Sequence, residues 1–303
     1  MMNILLTGGS GFVGHSLAAS LLEAGHGVVS IGRSASHPFM ARKNFSHLSA
    51  DTTQRGPWQE EAAKAAVIIN LTGTNIFRYW TRTNKQKIYE SRILTTRHIV
   101  EAIQPGKPVT LLNASAAGFY GDRGDEPLTE EAIPGNDFLA QVCMDWEKEA
   151  FLARTKGSRA VAMRFGVVLG KKGGALAKMS LPYRFFMGGP LGSGNQWFPW
   201  IHMDDLIQGV HLAIQAGSLD GPVNFVSPAS VRQKAFAKAM GQVLGKPSLM
   251  PVPAPLIRLL MGELGRAFLA GQRVYPEKLL KSGMTFRFPE LMPALIDALE
   301  APD

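Results

Sequence analysis

Cysteine is nearly missing from this chain: Cys143 is the only one in 303 residues. An internal disulfide is therefore excluded, and the usage suits a reducing compartment, so a cytoplasmic location is expected. Long apolar runs are missing as well. None approaches the roughly 20 residues that cross a bilayer, so no membrane partner is expected. Before Asn3 there is neither a basic region nor a cleavage site, and no secretory leader is expected. The 7 histidines are scattered, and no His, Cys, Asp or Glu cluster has ligand spacing, so no metal is expected. Acids are outnumbered, 24 against 32 Lys and Arg, for a formal charge of +8. The cations stand singly, without a basic stripe or interleaved aromatics. A phosphate-bearing small ligand explains that bias as well as nucleic acid does, and nucleic acid is not expected. Internal repeats and low-complexity tracts are also lacking. What remains, 46% hydrophobic and 18% charged, is an ordinary globular composition.

The most informative stretch is the first fourteen residues. Asn3 to Thr7 reads as a short buried strand, Gly8 to Gly14 as a glycine turn, and His15 to Gly25 as a helix with Leu17, Leu21 and Leu22 on one face. A strand, a glycine turn and a helix N-terminus together form an anion site, because free amide groups and the positive end of the helix dipole converge there. Gly8 permits the turn, Gly11 lets backbone approach a pyrophosphate, and Gly14 lets helix and strand pack closely. Their spacing is G-x-x-G-x-x-G, in the strand-to-helix context that a dinucleotide site requires.

A second strand, Gly27 to Ile31, ends at Gly32, Arg33 and Ser34. About 20 residues after the glycine turn an NAD site places an acid on the ribose hydroxyls. No acid stands between Gly32 and Lys43. Arg33, with Ser34 beside it, suits the 2′-phosphate of NADP, which a planar guanidinium can hold through charge-assisted hydrogen bonds. A third strand is expected at Leu48 to Asp51, its last residue near the adenine. A fourth, Ala66 to Gly73, would carry Leu71, Thr72 and Gly73 beneath the cofactor. A helix from Thr83 to Ile103, a strand from Val109 to Ser115, a helix from Asp137 to Thr155 and a strand from Ala160 to Phe165 continue the alternation. This pattern is α/β: a Rossmann-type doubly wound parallel sheet with a smaller C-terminal substrate lobe. The expected division is residues 1–166 plus about 199–228 for the nucleotide-binding part. Residues 167–198 plus 229–303 form the lobe, where a small-molecule substrate would sit. The oligomeric state stays open.

Thr7 to Gly14, Tyr120-Gly121 and Trp200-Ile201-His202-Met203-Asp204-Asp205 together resemble the extended short-chain dehydrogenases/reductases, the NAD-dependent epimerase/dehydratase superfamily. Asn70 to Ile76, Ser91-Arg92, Asp137 to Cys143, Gly166 to Gly170, Gly188 to Gly194 and Phe286 to Pro289 are similar to a branch of it known as epimerase family proteins. The resemblance covers essentially the whole chain. It implies an NADP-binding fold in which Gly8, Gly11 and Gly14, with the amides of Phe12 and Val13, cradle the pyrophosphate. Arg92 would lie near the cofactor, with Lys87 sharing its face of the helix, and Val168 would reach the nicotinamide through its backbone.

The departure from that family lies in the chemistry. Its standard members carry Tyr-x-x-x-Lys, where the Lys lowers the phenol pKa for acid–base work. Four residues after Tyr79, Tyr89, Tyr120, Tyr183 and Tyr275 stand Thr83, Ile93, Gly124, Met187 and Leu279. Leu139 and Cys143 fill the family's Tyr and Lys places. Ser115 and Tyr120 are the candidates for a replacement proton relay. Glu147, His202, Asp204 and Asp205 could form a charge relay or bond a loop, and Cys143 could be a nucleophile or packing. Two functions follow: an NADP-dependent oxidoreductase or epimerase with a non-standard proton donor, or a catalytically silent NADP-bound binding or regulatory protein.

Overall fold

The computed structural model describes residues 1–171 and 173–299. The first half alternates strand and helix: β1 (Asn3–Thr7), α1 (Phe12–Glu23), β2 (Gly27–Gly32), β3 (Phe45–Ser49), α2 (Trp58–Lys64), β4 (Val67–Asn70), α3 (Arg82–Ala102) and β5 (Thr110–Ala116). A loop containing the two-residue β6 (Pro127–Leu128) leads to α4 (Phe138–Phe151), β7 (Arg159–Phe165) and β8 (Val167–Leu169). Next come α5 (Gly174–Arg184), β9 (Trp197–Phe198), β10 (Trp200–His202), α6 (Met203–Gln215) and β11 (Gly221–Phe225). The chain ends with β12 (Val231–Arg232), α7 (Gln233–Val243), α8 (Ala254–Leu269), β13 (Arg273–Val274), α9 (Glu277–Lys281) and α10 (Leu291–Leu299).

Seven strands make one sheet in the order β11-β7-β5-β4-β1-β2-β3, every neighbouring pair parallel. Helices cover both faces, which is why the central strands β1 and β4 are buried almost throughout, whereas the edge strand β3 is mostly exposed. Alternate side chains go to opposite sides. Ile4 and Leu6 join a core with Leu17 and Leu21 of α1 and Leu206 and Val210 of α6. Leu5 joins Trp58 and Ala62 of α2, Ile99 of α3 and Ala150 of α4. Each such fully buried aliphatic side chain contributes about 1.5–3 kcal/mol of burial. Strand order reverses between β1 and β4, and the crevice beyond their carboxyl ends is where open α/β sheets bind ligands.

Several boundaries differ from the sequence expectation. The helix after the glycine turn begins at Phe12 rather than His15. The third strand is Phe45–Ser49, so Asp51 lies beyond it in a turn, where its carboxylate accepts from the Thr53 amide at 3.0 Å and hydroxyl at 2.7 Å. The fourth strand stops at Asn70, leaving Leu71 to Gly73 as loop. Helix α2 was not expected. The helix from Asp137 ends at Phe151 and tightens to a 3₁₀ turn over Leu152–Lys156.

Residues after Phe165 build a separate apolar cluster. Leu176 and Tyr183 of α5, Trp200 of β10, Phe236 and Met240 of α7 and Leu295 of α10 pack there. Trp200 is fully buried, and its indole donates to Ala229 O at 3.2 Å. Asp205, also buried, accepts from the amides of Arg287 (2.6 Å) and Phe288 (3.0 Å) and so bonds that loop. His202 caps α6 by accepting from the Asp204 amide at 3.2 Å.

Candidate functional site

The glycine turn crosses the carboxyl end of β1. Gly8 has φ +74, and a side chain there would meet the Leu71 carbonyl at 3.0 Å. A Cβ on Gly14 would collide with Gly8 O, so α1 can approach the turn only with glycine at that place. Gly11 is the N-cap of α1. No side chain caps it and the first turn holds no acid, so the positive helix end is left to an outside anion. Gly9, which the sequence reading passed over, touches the Ser30 side chain of β2. Gly170, Gly173 and Gly174 abut the Phe12 ring and bring the start of α5 over this end of α1.

The end of β2 stands beside the turn. Ser34 Oγ donates to Ser10 Oγ at 3.5 Å, and Ser10 is also the residue facing Gly32. The Arg33 side chain is exposed and, among the described residues, has neither ion pair nor side-chain hydrogen bond. His47 braces this corner from β3, sharing hydrogen bonds with Ser30 Oγ (3.2 Å) and Ser34 O (2.9 Å).

The end of β4 is fixed by a buried amide. Asn70 Oδ1 accepts from Thr7 Oγ at 2.7 Å and from the Thr72 amide at 3.2 Å. Its Nδ2 donates to Thr96 Oγ at 2.9 Å and Asn113 Oδ1 at 2.7 Å. One side chain thereby ties β1, β4, β5 and α3 together behind the crevice. Arg92 of α3 lies against Gly73: a Cβ there would stand 2.9 Å from the guanidinium carbon. Its Nη1 donates to Thr74 O (3.2 Å) and Ile88 O (2.9 Å), and the guanidinium lies 5.2 Å from the Trp146 ring centre. No carboxylate pairs with it among the described residues, and burial lowers its pKa to about 10. It is a desolvated cation that remains charged at neutral pH. Lys87 does not join it. Five helical positions are about 140° apart, and Lys87 is exposed on α3. Val168 is half-buried in β8, paired with Ile201.

Ser115 and Tyr120 do not form a relay open to a ligand. Ser115 is buried and donates to Glu147 Oε1 at 2.7 Å. Tyr120 is fully buried; its hydroxyl donates to Asn224 Oδ1 (2.7 Å) or Thr129 O (3.0 Å) and accepts from Arg164 Nη1 (2.9 Å). Burial pushes its pKa to about 12. The turn after β5 brings this phenol to Arg164 of β7 and Asn224 of β11 and not to the ends of β1 and β4. The residue that sequence reading missed is Arg164, whose Nε and Nη2 each reach a Glu147 oxygen at 2.8 Å, both side chains about 5% exposed or less. A lone arginine inside the apolar run Ala160 to Phe165 was the available signal. Cys143 is buried too, its pKa raised to about 12 by burial, which makes it packing and no nucleophile.

Beside the β5 end, a cavity of about 740 Å³ opens between the start of α4 and α8. Trp80, Asn136 and Phe138 line one side, Arg258, Glu263 and Arg266 the other. Leu139, next to Phe138, touches Gly118 in the turn that follows β5, so the cavity adjoins the crevice. Glu263 is engaged by Lys85 at 2.8 Å, whereas neither arginine has an ion pair among the described residues. No group of acids, histidines and cysteine among those residues could hold a metal.

Comparison with known proteins agrees with this geometry. The family model described as NAD dependent epimerase/dehydratase family matches residues 4–225, and one for a domain of unknown function, DUF1731, matches residues 252–298. The epimerase family protein YfhF of Bacillus subtilis is 39% identical over 97% of this chain and 97% of its own. The human epimerase family protein SDR39U1, solved with NADPH, superposes with a TM-score of 0.85 at 32% identity, over 98% of this chain and 99% of that one. A nucleoside-diphosphate sugar epimerase from Corynebacterium glutamicum superposes with a TM-score of 0.79 at 32% identity, over 98% of this chain and 58% of that one. The chain belongs to the NAD dependent epimerase/dehydratase family, among the epimerase family proteins.

Proposed function

We propose that the protein binds NADP(H) across the carboxyl ends of β1, β2 and β4 and works as an oxidoreductase or epimerase on a small molecule held in the cavity beside α8. One observation carries the reading: the glycine turn, the uncapped α1 and the unpaired Arg33 stand together where strand order reverses. These residues suit the cofactor. Gly8, Gly11 and Gly14, with the amides of Phe12 and Val13, would hold the pyrophosphate. Arg33, with Ser34 and Ser10, would hold the 2′-phosphate, and Gly32 and Asp51 would flank the adenosine. Leu71, Thr72 and Gly73 would lie beneath the dinucleotide, and Val168 would meet the nicotinamide through its backbone. NADPH in the human relative supports this choice. The division into residues 1–166 plus 199–228 and an interleaved lobe belongs to the same reading.

The bound cofactor would give or take hydride. Arg92 would stabilise negative charge beside it, since a preorganised cation in a desolvated site acts most strongly where charge develops. Ser115 and Tyr120 are committed to the buried network, so the proton comes from the substrate, from water or from the cavity wall. That commitment also favours a second reading, a silent NADP-bound protein. Purified protein with NADPH is tested against carbonyl compounds and nucleotide sugars, following absorbance at the nicotinamide band and product isomers. Turnover that Arg92→Met reduces while leaving NADPH affinity within a few fold supports the first reading. Tight NADPH binding with no turnover across the panel selects the second, and failure to bind NADPH overturns both.

A further inference from the structure

Segments 167–198 and 221–262 contain nine Lys and Arg and not one Asp or Glu. They also carry an unusual share of the exposed apolar side chains: Phe185 at 64%, Phe186 at 58%, Met187, Leu249 at 81%, and Leu259 at 76% with Leu260 on α8. Phe185 to Met187 and Leu249 lie close together on the lobe. Met250 N donates to Gly188 O at 3.1 Å, which joins the loop around Leu249 to the turn after α5. Lys178 and Met179 of α5 and Leu260 of α8 line one groove of about 380 Å³. Phe186 has φ +59, a left-handed conformation that a bulky residue rarely adopts. That conformation closes α5, with Phe186 N donating to Tyr183 O and Met187 N to Pro182 O, each at 3.0 Å, and it leaves the Phe186 ring exposed.

Cations are interleaved with these residues: Arg184 precedes Phe185, Lys246 Nζ lies 4.3 Å from the Phe186 ring centre, and Lys178 edges the groove. None of the three has an ion pair among the described residues. Glu263, the acid nearest in sequence to this face, is held by Lys85.

We propose that this face docks on the surface of an anionic phospholipid bilayer, with the apolar side chains entering the boundary between headgroups and acyl chains and the three cations among the phosphates. Short segments that alternate large apolar residues with long cations match that boundary, because the stems follow the apolar layer and the charged heads remain at the phosphate level. A second copy fits poorly. A two-fold contact sets the same patch against itself, and three unpaired cations would face three. A folded protein partner fits less well too, since interface cores are depleted of lysine. The absence of a spanning helix is no obstacle, because surface docking needs a patch and not an apolar run.

The test is co-sedimentation of the full chain with vesicles of phosphatidylcholine alone or mixed with phosphatidylglycerol, with NADPH fluorescence as an independent check of the folded state. The expected result is binding to the mixed vesicles only, weakened by salt. Arg184→Ala and Lys246→Ala should each weaken it about fivefold, and the double variant Phe186→Glu, Leu249→Glu should abolish it with NADPH affinity unchanged. No sedimentation with mixed vesicles overturns the proposal. So does a concentration-dependent dimer that the double variant splits. Binding to poly-glutamate that matches vesicle binding and survives Phe186→Ala with Leu249→Ala would also overturn it, by showing charge alone at work.

Discussion

The two halves of the sheet's carboxyl edge treat polar groups in opposite ways. At β1, β2 and β4 they are left open: α1 is uncapped, Arg33 is exposed and unpaired, and Arg92 is desolvated without a carboxylate. At β5, β7 and β11 they are closed, with Ser115, Glu147, Arg164, Tyr120 and Asn224 hydrogen-bonded in one chain. An open site advertises a ligand that supplies the missing partner. A closed one does structural work, because a hydrogen-bonded buried network rigidifies its surroundings; beside it only Glu130 Oε2 is buried without a partner among the described residues. Family resemblance alone would put chemistry at the closed half. Its geometry puts architecture there instead.

The largest effect that sharpens this contrast is Glu147→Gln. It leaves Arg164 charged and buried. Burial alone would lower that guanidinium's pKa, but Glu147, together with Tyr120, more than offsets it. Breaking such a pair from one side costs about 3–5 kcal/mol. Chemical denaturation should report a loss of that size, with NADPH affinity little changed in the folded fraction. A variant as stable as the parent would show that the closed half is not structural.

How legible each half is in the sequence follows from the same contrast. The glycine turn announces itself because its job is local: Gly8, Gly11 and Gly14 serve one strand, one turn and one helix. Arg33 is legible for a similar reason, since it sits at a fixed offset and no acid competes. The Tyr120 environment depends on Arg164, Thr129 and Asn224, up to 104 positions away, and no spacing rule reports such a meeting. Asn70 is intermediate. A lone amide ending an apolar strand is visible, but its tie to Thr96 and Asn113 is not. Helix α2 escaped because its seven residues are too short for a period to emerge.

The open half is tested by Arg33→Ala. A charge-assisted hydrogen bond to phosphate is worth about 1.5–3 kcal/mol, so NADPH affinity should fall about ten- to a hundredfold. NADH affinity and thermal midpoint should stay as they were, since the Arg33 side chain has no hydrogen bond or ion pair among the described residues. Equal loss for both cofactors would mean that Arg33 shapes the loop and does not read the 2′-phosphate.

The smallest effect separates structure from chemistry at Tyr120. Its pKa is raised to about 12 by burial, against about 10 for a free phenol. The folded state therefore favours the neutral form. Below pH 10 both states are neutral and this preference has no effect. Between about pH 10 and 12 the unfolded chain ionises first, so stability is lost as pH rises, by about 1.4 kcal/mol at pH 11. Tyr120→Phe should be less stable at neutral pH, because the phenol's hydrogen bonds are gone, yet should lose less between pH 9 and pH 11 than the parent. Cys143 also holds its proton to about 12, but it is present in both proteins and cancels in the difference. Urea denaturation at the two pH values measures it. Parallel losses would mean that the phenol titrates near its ordinary value. If any turnover has been found, the same variant should keep its pH–rate profile, because a group buried under β7 and β11 exchanges no proton with a ligand at β1 and β4.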